Sequence, residues 1–342
     1  MEPADFDFEL PPAAIAQQPA ARRGDARLLG VGRDGVNVDH VARELPSLLP
    51  EGALVVLNDS RVIPARLFGR RADGRSFELL VTAPRPTSVG ARVEAWVRGG
   101  RRLRRGDTLE VGALVLRVCD DAGTARERSF EVCAGELMAA CRALGQVPLP
   151  PYIVRPEGAT AADLERYQTV YADADGSVAA PTAGLHLEPD VLAQLDTVAI
   201  ALHVGPGTFL PMDVADVRDH RVGAERVHVG EAAAVRIAQA QRAGRPIVAI
   251  GTTVVRALEH VARACGGIEP YDGATELVIT PGHRFAAVTH LLTNFHLPRS
   301  SLLMLVCSFA GHARTMAAYR EAVARGYRFY SYGDCMFVEA AP

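Results

Sequence analysis

The chain contains no lysine: all 37 basic residues are arginines. This excludes a Schiff-base lysine, and with it ordinary pyridoxal-phosphate chemistry, as well as a lysine-dependent Walker loop or kinase site. Cysteine is sparse and scattered. The six (Cys119, Cys133, Cys141, Cys265, Cys307, Cys335) form no CxxC pair and no zinc spacing, so they read as reduced thiols of a cytoplasmic protein. Long apolar runs are also missing. The longest, Leu302 to Ala310, is too short to span a bilayer, and the acidic start MEPADFDFELPPAA carries no signal peptide. The formal net charge of −3 does not announce a nucleic-acid binder.

What is present is an ordinary globular composition, 49% apolar and 23% charged, over 342 residues. That length suits about two domains. Ala53 to Leu57 is an apolar run stopping at Asn58-Asp59-Ser60-Arg61, which predicts a buried parallel strand. Ile247 to Ile250 reads as a strand and Gly251-Thr252-Thr253 as a tight turn. A helix then runs from Val254 to Ala264 with an apolar stripe at Val254, Ala257, Leu258, Val261 and Ala262. Glu276 to Thr280 reads as a further strand, Ser300 as the cap of a buried helix ending at Gly311, and Ala317 to Arg325 as a last helix.

Between these lies a different texture. Ser76 to Val81, Arg92 to Val97, Ala113 to Val118 and Ser129 to Cys133 alternate apolar and polar residues. Turn signals separate them, among them Asp120-Asp121-Ala122-Gly123, a pattern that predicts a small barrel or sandwich. The fold class is therefore α/β: a discontinuous α/β main domain, 1–61 plus 152–342, with an inserted small all-β barrel at 62–147. A stiff Pro-rich linker, 148–151, joins them. The barrel block is basic, with fourteen arginines against ten acids from Arg70 to Arg142. Arg98, Arg101, Arg102, Arg104 and Arg105 crowd one turn, which favours a polyanionic partner.

Polar residues gather where the predicted strands end. His186 follows the loop Pro181-Thr182-Ala183-Gly184-Leu185, and His203 closes an apolar run that breaks at Gly205-Pro206-Gly207-Thr208. The third glycine of a dinucleotide fingerprint is absent, since position 210 is Leu. Thr252 and Thr253 either cap the following helix or help its N-terminus hold an anion. Glu259 and Arg263 are spaced as a solvated i, i+4 pair, with Arg256 on the same face. His186, His203, His220 and His296 show no i, i+4 spacing and no HExxH, so no metal site is expected. Thr293, Asn294 and His296 sit just before the helix that Ser300 caps. The segment Tyr327 to Asp334 suits either stacking on a base or a half-buried strand.

Together these motifs resemble the S-adenosylmethionine:tRNA ribosyltransferase-isomerases of queuosine biosynthesis. The resemblance runs through Asp5 to Leu10, Ala53 to Leu67, Pro148 to Ile153, Arg166 to Ala172, Val178 to His186, Leu202 to Phe209, Ile250 to Glu259, Thr293 to Val306 and Tyr327 to Met336. It implies an enzyme that moves the ribosyl unit of S-adenosylmethionine onto 7-aminomethyl-7-deazaguanine at the tRNA wobble position, releasing adenine and methionine. S-adenosylmethionine is then a co-substrate, with neither metal nor pyridoxal phosphate. The sulfonium acidifies the C5′ hydrogens, so a weak base suffices, and His186, His203, Asp59 and Glu225 are the candidates. Substrate contacts are expected from Asn58, Arg61, Arg66, Tyr167, Gln168, Thr169, Pro181, Thr182, Gly184, Gly205, Gly207, Thr208, Thr252, Thr253, Arg256, Thr293, Asn294, His296, Tyr332 and Asp334. The five arginines of the barrel turn are expected to contact tRNA. A monomer in the cytoplasm, with no membrane contact, completes the expectation.

One departure stands out. Where the resemblance implies Met-His-x-Glu after His220, this chain has Val222-Gly223-Ala224-Glu225. Two alternatives follow: the same fragmentation with a small-molecule acceptor such as a free deazapurine, or a non-catalytic RNA- or nucleotide-binding relative. Release of adenine with tRNA, with the free base or with neither separates the three.

Overall fold

The computed structural model describes residues 1–120, 126–209 and 212–341. The expected turn residues Asp121, Ala122 and Gly123, Leu210 and the side chain of Thr208 lie outside the described residues. Nine strands form one mixed sheet in the order Tyr271–Thr275, Glu225–Val229, Thr197–Leu202, Leu54–Asn58, Ile247–Ile250, His290–Asn294, Cys335–Glu339, Arg27–Val31 and Asn37–Val41. The strand Leu54–Asn58 is buried throughout and runs parallel to both neighbours. Its residues alternate between two cores: Leu54 and Val56 pack on one face, Val55 and Leu57 on the other. Burial on both faces explains why it reads as an unbroken apolar run.

The helix Thr252–Cys265 follows Ile247–Ile250, and Val254, Ala257, Leu258 and Val261 of its stripe are fully buried. Ser300 caps the helix Ser301–Ala310 by accepting from the Leu303 amide. The next helix starts earlier than expected, at His312 rather than Ala317. Gly311, at φ +90°, is enough to break the chain between the two helices. The strand expected at 276–280 is an irregular segment, because pairing with Glu225–Val229 ends at Thr275. Arg328 to Tyr332 is a turn, and the regular strand begins only at Cys335.

Glu259 also departs from its sequence reading. It is 2% exposed, and its carboxylate accepts the amides of Ala286, Ala287 and Val288. A segment far along the chain thus covers a position that helical periodicity alone assigns to solvent.

Six antiparallel strands close a barrel in the order Glu127–Ala134, Arg92–Arg98, Ser76–Val81, Arg66–Arg70, Thr108–Val111 and Leu114–Val118. Inward residues such as Phe77, Leu79, Val93, Ala95, Leu116 and Phe130 fill it, as the period-2 pattern requires. Arg128 is fully buried, and its guanidinium donates to the carbonyls of Gly100, Leu103 and Asp120 and to the Asp120 carboxylate. It braces the turn that leaves Arg101, Arg102, Arg104 and Arg105 exposed. On the chain's way into the barrel, Ser60–Val62 pairs in parallel with Ala174–Ser177.

Candidate functional site

The site forms where the central parallel strands end. Gly251, at φ +94°, turns the chain from strand to helix, and no side chain caps that helix. Thr252 and Thr253 are therefore the first helical residues, which excludes the capping role weighed for them. Asn58, fully buried, holds this end of the sheet together. Its amide donates to the Leu202 carbonyl at 3.0 Å and to Thr253 Oγ1 at 3.2 Å, and its oxygen accepts from the Leu202 and Ser60 amides.

A first, narrow cavity of about 70 Å³ opens beside that turn. Its wall includes Tyr167, Pro181, Thr182, Thr252, Thr253, Arg256, Thr293, Asn294 and His296. His296 and Thr293 hydrogen-bond through Nε2 and Oγ1 at 2.8 Å, and the His296 amide donates to Tyr319 Oη. A second, much roomier cavity, about 620 Å³, lies between the α/β body and the barrel. It is lined by Gly205, Gly207, His220, Gly223, Glu225, Trp96 and Glu127 among others. Arg256 and Leu302 belong to both walls.

Arg256 is the charged centre of this arrangement. Only 6% exposed, it pairs through Nη1 with Glu225 and donates from Nε to the Leu277 carbonyl at 2.9 Å. Glu225 accepts the Gly205 amide on its other oxygen at 2.8 Å. Arg256 Nη2 is buried and has no partner among the described residues. An unpartnered guanidinium N–H at a cavity wall is a strong carboxylate donor.

The other expected residues lie elsewhere. His186 is buried behind the first cavity, with Nε2 against Asn294 Oδ1 at 3.2 Å. His203 and Asp59 line neither cavity, and each keeps one buried polar atom without a partner among the described residues, Nδ1 and Oδ1. Burial, and then Asp173, raises the Asp59 pKa. Gln168 pairs with both backbone groups of Val62, Arg61 bonds the Ala172 carbonyl and lies 3.4 Å from Asp175, and Arg66 pairs with Glu78. Tyr332 donates to Asp163, and Asp334 accepts from Arg328 and the Arg27 amide. Thr169 is buried away from both cavities. Gly184 is there because Tyr171 Oη would lie 1.9 Å from any Cβ. Of the arginine turn, Arg98, Arg101 and Arg102 line a shallow outer recess. Gly223 opens onto the second cavity, with nothing within 4 Å of a Cβ built there.

Sequence reading missed Tyr152 and named Tyr330 and Ser331 only as part of a segment suited to base stacking or a half-buried strand; all three line the first cavity. Tyr330 has φ +73°, a conformation that costs a bulky residue about 1–3 kcal/mol. The strain is held by the Asn294 amide on the Tyr330 carbonyl and by the Tyr330 amide on the Phe295 carbonyl. Its ring lies 3.7 Å from that of Tyr152, whose hydroxyl meets Ser331 Oγ at 2.6 Å. Tyrosine enrichment after Tyr327 was the available signal, but it did not say which ring faces the cavity.

Burial pushes the His186 pKa down to about 4 and that of His296 to about 3. Both rings are therefore neutral at pH 7. Unfolded, each titrates near 6.5, so between that pH and the folded values the unfolded chain binds more protons. The stability from neutral burial is complete above pH 6.5 and is lost as pH falls toward 4 and 3. We expect urea midpoints measured from pH 7.5 to 5 to report a loss of about 2 kcal/mol per histidine. A flat profile over that range would contradict burial of both rings in neutral form.

Comparison with known proteins places these features in context. Residues 3–338 match the family described as queuosine biosynthesis protein. The chain is 47% identical to the S-adenosylmethionine:tRNA ribosyltransferase-isomerase of Anaeromyxobacter dehalogenans strain 2CP-C, covering 99% of both chains. It is equally identical to the protein of that name from Gluconacetobacter diazotrophicus, covering 99% of this chain and 97% of that one. The crystal structure of an S-adenosylmethionine tRNA ribosyltransferase from Thermotoga maritima is similar with a TM-score of 0.54 at 32% identity, covering 97% and 99% of the two chains.

Proposed function

Since the chain belongs to the queuosine biosynthesis protein family, we propose that its two joined cavities carry out that family's ribosyl transfer. The protein is an S-adenosylmethionine-dependent transferase and isomerase acting on tRNA. The acceptor is the aminomethyl group of a 7-deazaguanine at the wobble position. The enzyme acts as a cytoplasmic monomer, with 1–61 and 152–342 as the catalytic body and 62–147 as the inserted domain. Among the described residues no helix is long and apolar enough to cross a membrane, and no group of three or more His, Cys, Asp or Glu is placed to hold a metal ion.

The observation that carries the site assignment is Arg256, buried in the wall common to both cavities with Nη2 unpartnered among the described residues. It takes the methionine carboxylate, and Glu225 holds it in place. The nucleoside spans the two joined cavities, with Thr252 and Thr253 at the helix start and Tyr330 as an aromatic wall of the first. Of the histidines, His296 lines the first cavity. Its Nε2 is engaged by Thr293, and Nδ1 has no protein partner among the described residues. It is the group best placed to move a proton to or from the bound nucleoside, ahead of His186, His203 and Asp59, which lie outside the wall. Glu225, with both oxygens occupied, is a positioning residue.

The deciding measurement is adenine and methionine release from S-adenosylmethionine in the presence of either tRNA carrying 7-aminomethyl-7-deazaguanine or the free base. Release with tRNA and not with the free base is expected. Release with the free base alone would transfer the reading to a small-molecule acceptor, for which Gly223 leaves room in the second cavity. RNA binding with no release in either case would leave a binding protein.

A further inference from the structure

Trp96, the sole tryptophan of the chain, lies between two recesses. It lines the second cavity with Thr82, Ala83 and Glu127. It also lines a cleft between the barrel and the 148–159 segment, whose other walls include Arg66, Arg98, Arg126 and Arg155. The barrel's register explains this. Arg66 pairs with Leu80, Leu80 with Trp96, and Trp96 with Glu127. These four residues form one row across three strand pairs, and they alternate with the inward residues Leu67, Leu79, Val81, Ala95 and Val97. The row leads from the arginine-lined cleft to the reaction cavity, with the indole in its middle.

The charges along this path are unequal. Arg66 and Arg155 are tied to Glu78 and Asp163. Arg98 is 85% exposed and only loosely paired, at 3.8 Å from Glu78. Arg126 has no carboxylate partner among the described residues, and its guanidinium lies 4.2 Å from the centre of the Trp96 ring. A cation stacked on an aromatic beside open cleft suits a single-stranded nucleic acid, which offers bases to the ring and phosphates to the arginine. A duplex would not present free base faces.

We propose that Trp96, backed by Arg126, is the platform on which a base of the tRNA anticodon loop stacks beside the reaction cavity, with Arg98 and Arg126 tracking its phosphates. This rests on tRNA being the acceptor. Of the five turn arginines it keeps Arg98, and it moves the main RNA contact from Arg101, Arg102, Arg104 and Arg105 to the cleft that joins the cavity.

Because the chain has one tryptophan, its tryptophan fluorescence, excited selectively over the tyrosines, reports on this site alone. An anticodon stem-loop RNA carrying 7-aminomethyl-7-deazaguanine is expected to quench it, and S-adenosylmethionine alone is not. In steady-state assays of adenine release, Trp96→Ala should raise the KM for RNA by roughly ten- to a hundredfold, the value of one base stack. The KM for S-adenosylmethionine should stay within about twofold, and Trp96→Phe, which keeps a stacking ring, should recover most of the loss. An unchanged RNA KM in Trp96→Ala, or quenching by S-adenosylmethionine alone, overturns the platform while leaving tRNA as acceptor. A wild-type enzyme that works only on the free base overturns the acceptor reading itself, and the platform with it.

Discussion

Arg256→Ala is expected to raise the KM for S-adenosylmethionine by about a hundredfold or more. Truncating one member of a buried, hydrogen-bonded charge pair costs about 3–5 kcal/mol, and every 1.36 kcal/mol is tenfold. Here the loss has two parts. The ligand carboxylate loses Nη2, and Glu225 is left buried with the Gly205 amide as its remaining partner among the described residues. The second part also destabilises the folded protein, so activity must be compared with urea denaturation. A double variant, Arg256→Leu with Glu225→Leu, separates the two. It removes both charges, so stability is expected to recover substantially while the affinity for S-adenosylmethionine stays low. An Arg256→Ala enzyme with the wild-type KM would remove the carboxylate assignment.

His296→Ala should act on the other kinetic constant. A positioned proton-transfer group contributes roughly 10²–10⁴-fold. With its pKa near 3, the buried ring is neutral throughout the working range and acts through one N–H and one lone pair. We expect kcat for adenine release to fall by about a hundredfold, with the KM for S-adenosylmethionine little changed. Thr293→Val, which removes the hydroxyl partner of Nε2, should reproduce part of that loss by freeing the ring's orientation. His203→Ala should keep most of the activity, because His203 lines neither cavity. Equal rates for His296→Ala and wild type would return the proton-transfer role to the histidines outside the wall.

The sequence by itself determined the architecture. An unbroken apolar run at 54–57 can be satisfied only between two covered faces, and the alternation from Ser76 to Cys133 only by a curved sheet with one buried side. Its motifs also carried the family resemblance, and Thr252, Thr253, Arg256, Thr293, Asn294 and His296 stood out as a site because polar residues crowd strand ends that ought to be dry. Tertiary structure decided which of the polar residues meet at a cavity and which are consumed by the fold. Asn58 is satisfied by Leu202, 144 residues away, and Tyr152 meets Ser331 across 179. Glu259 became a buried anchor only because 286–288 returns over its helix. Periodicity records the exposure a residue would have on its own element. The partners that cover it, orphan it or strain it arrive from other parts of the chain, and only the packed structure brings them together.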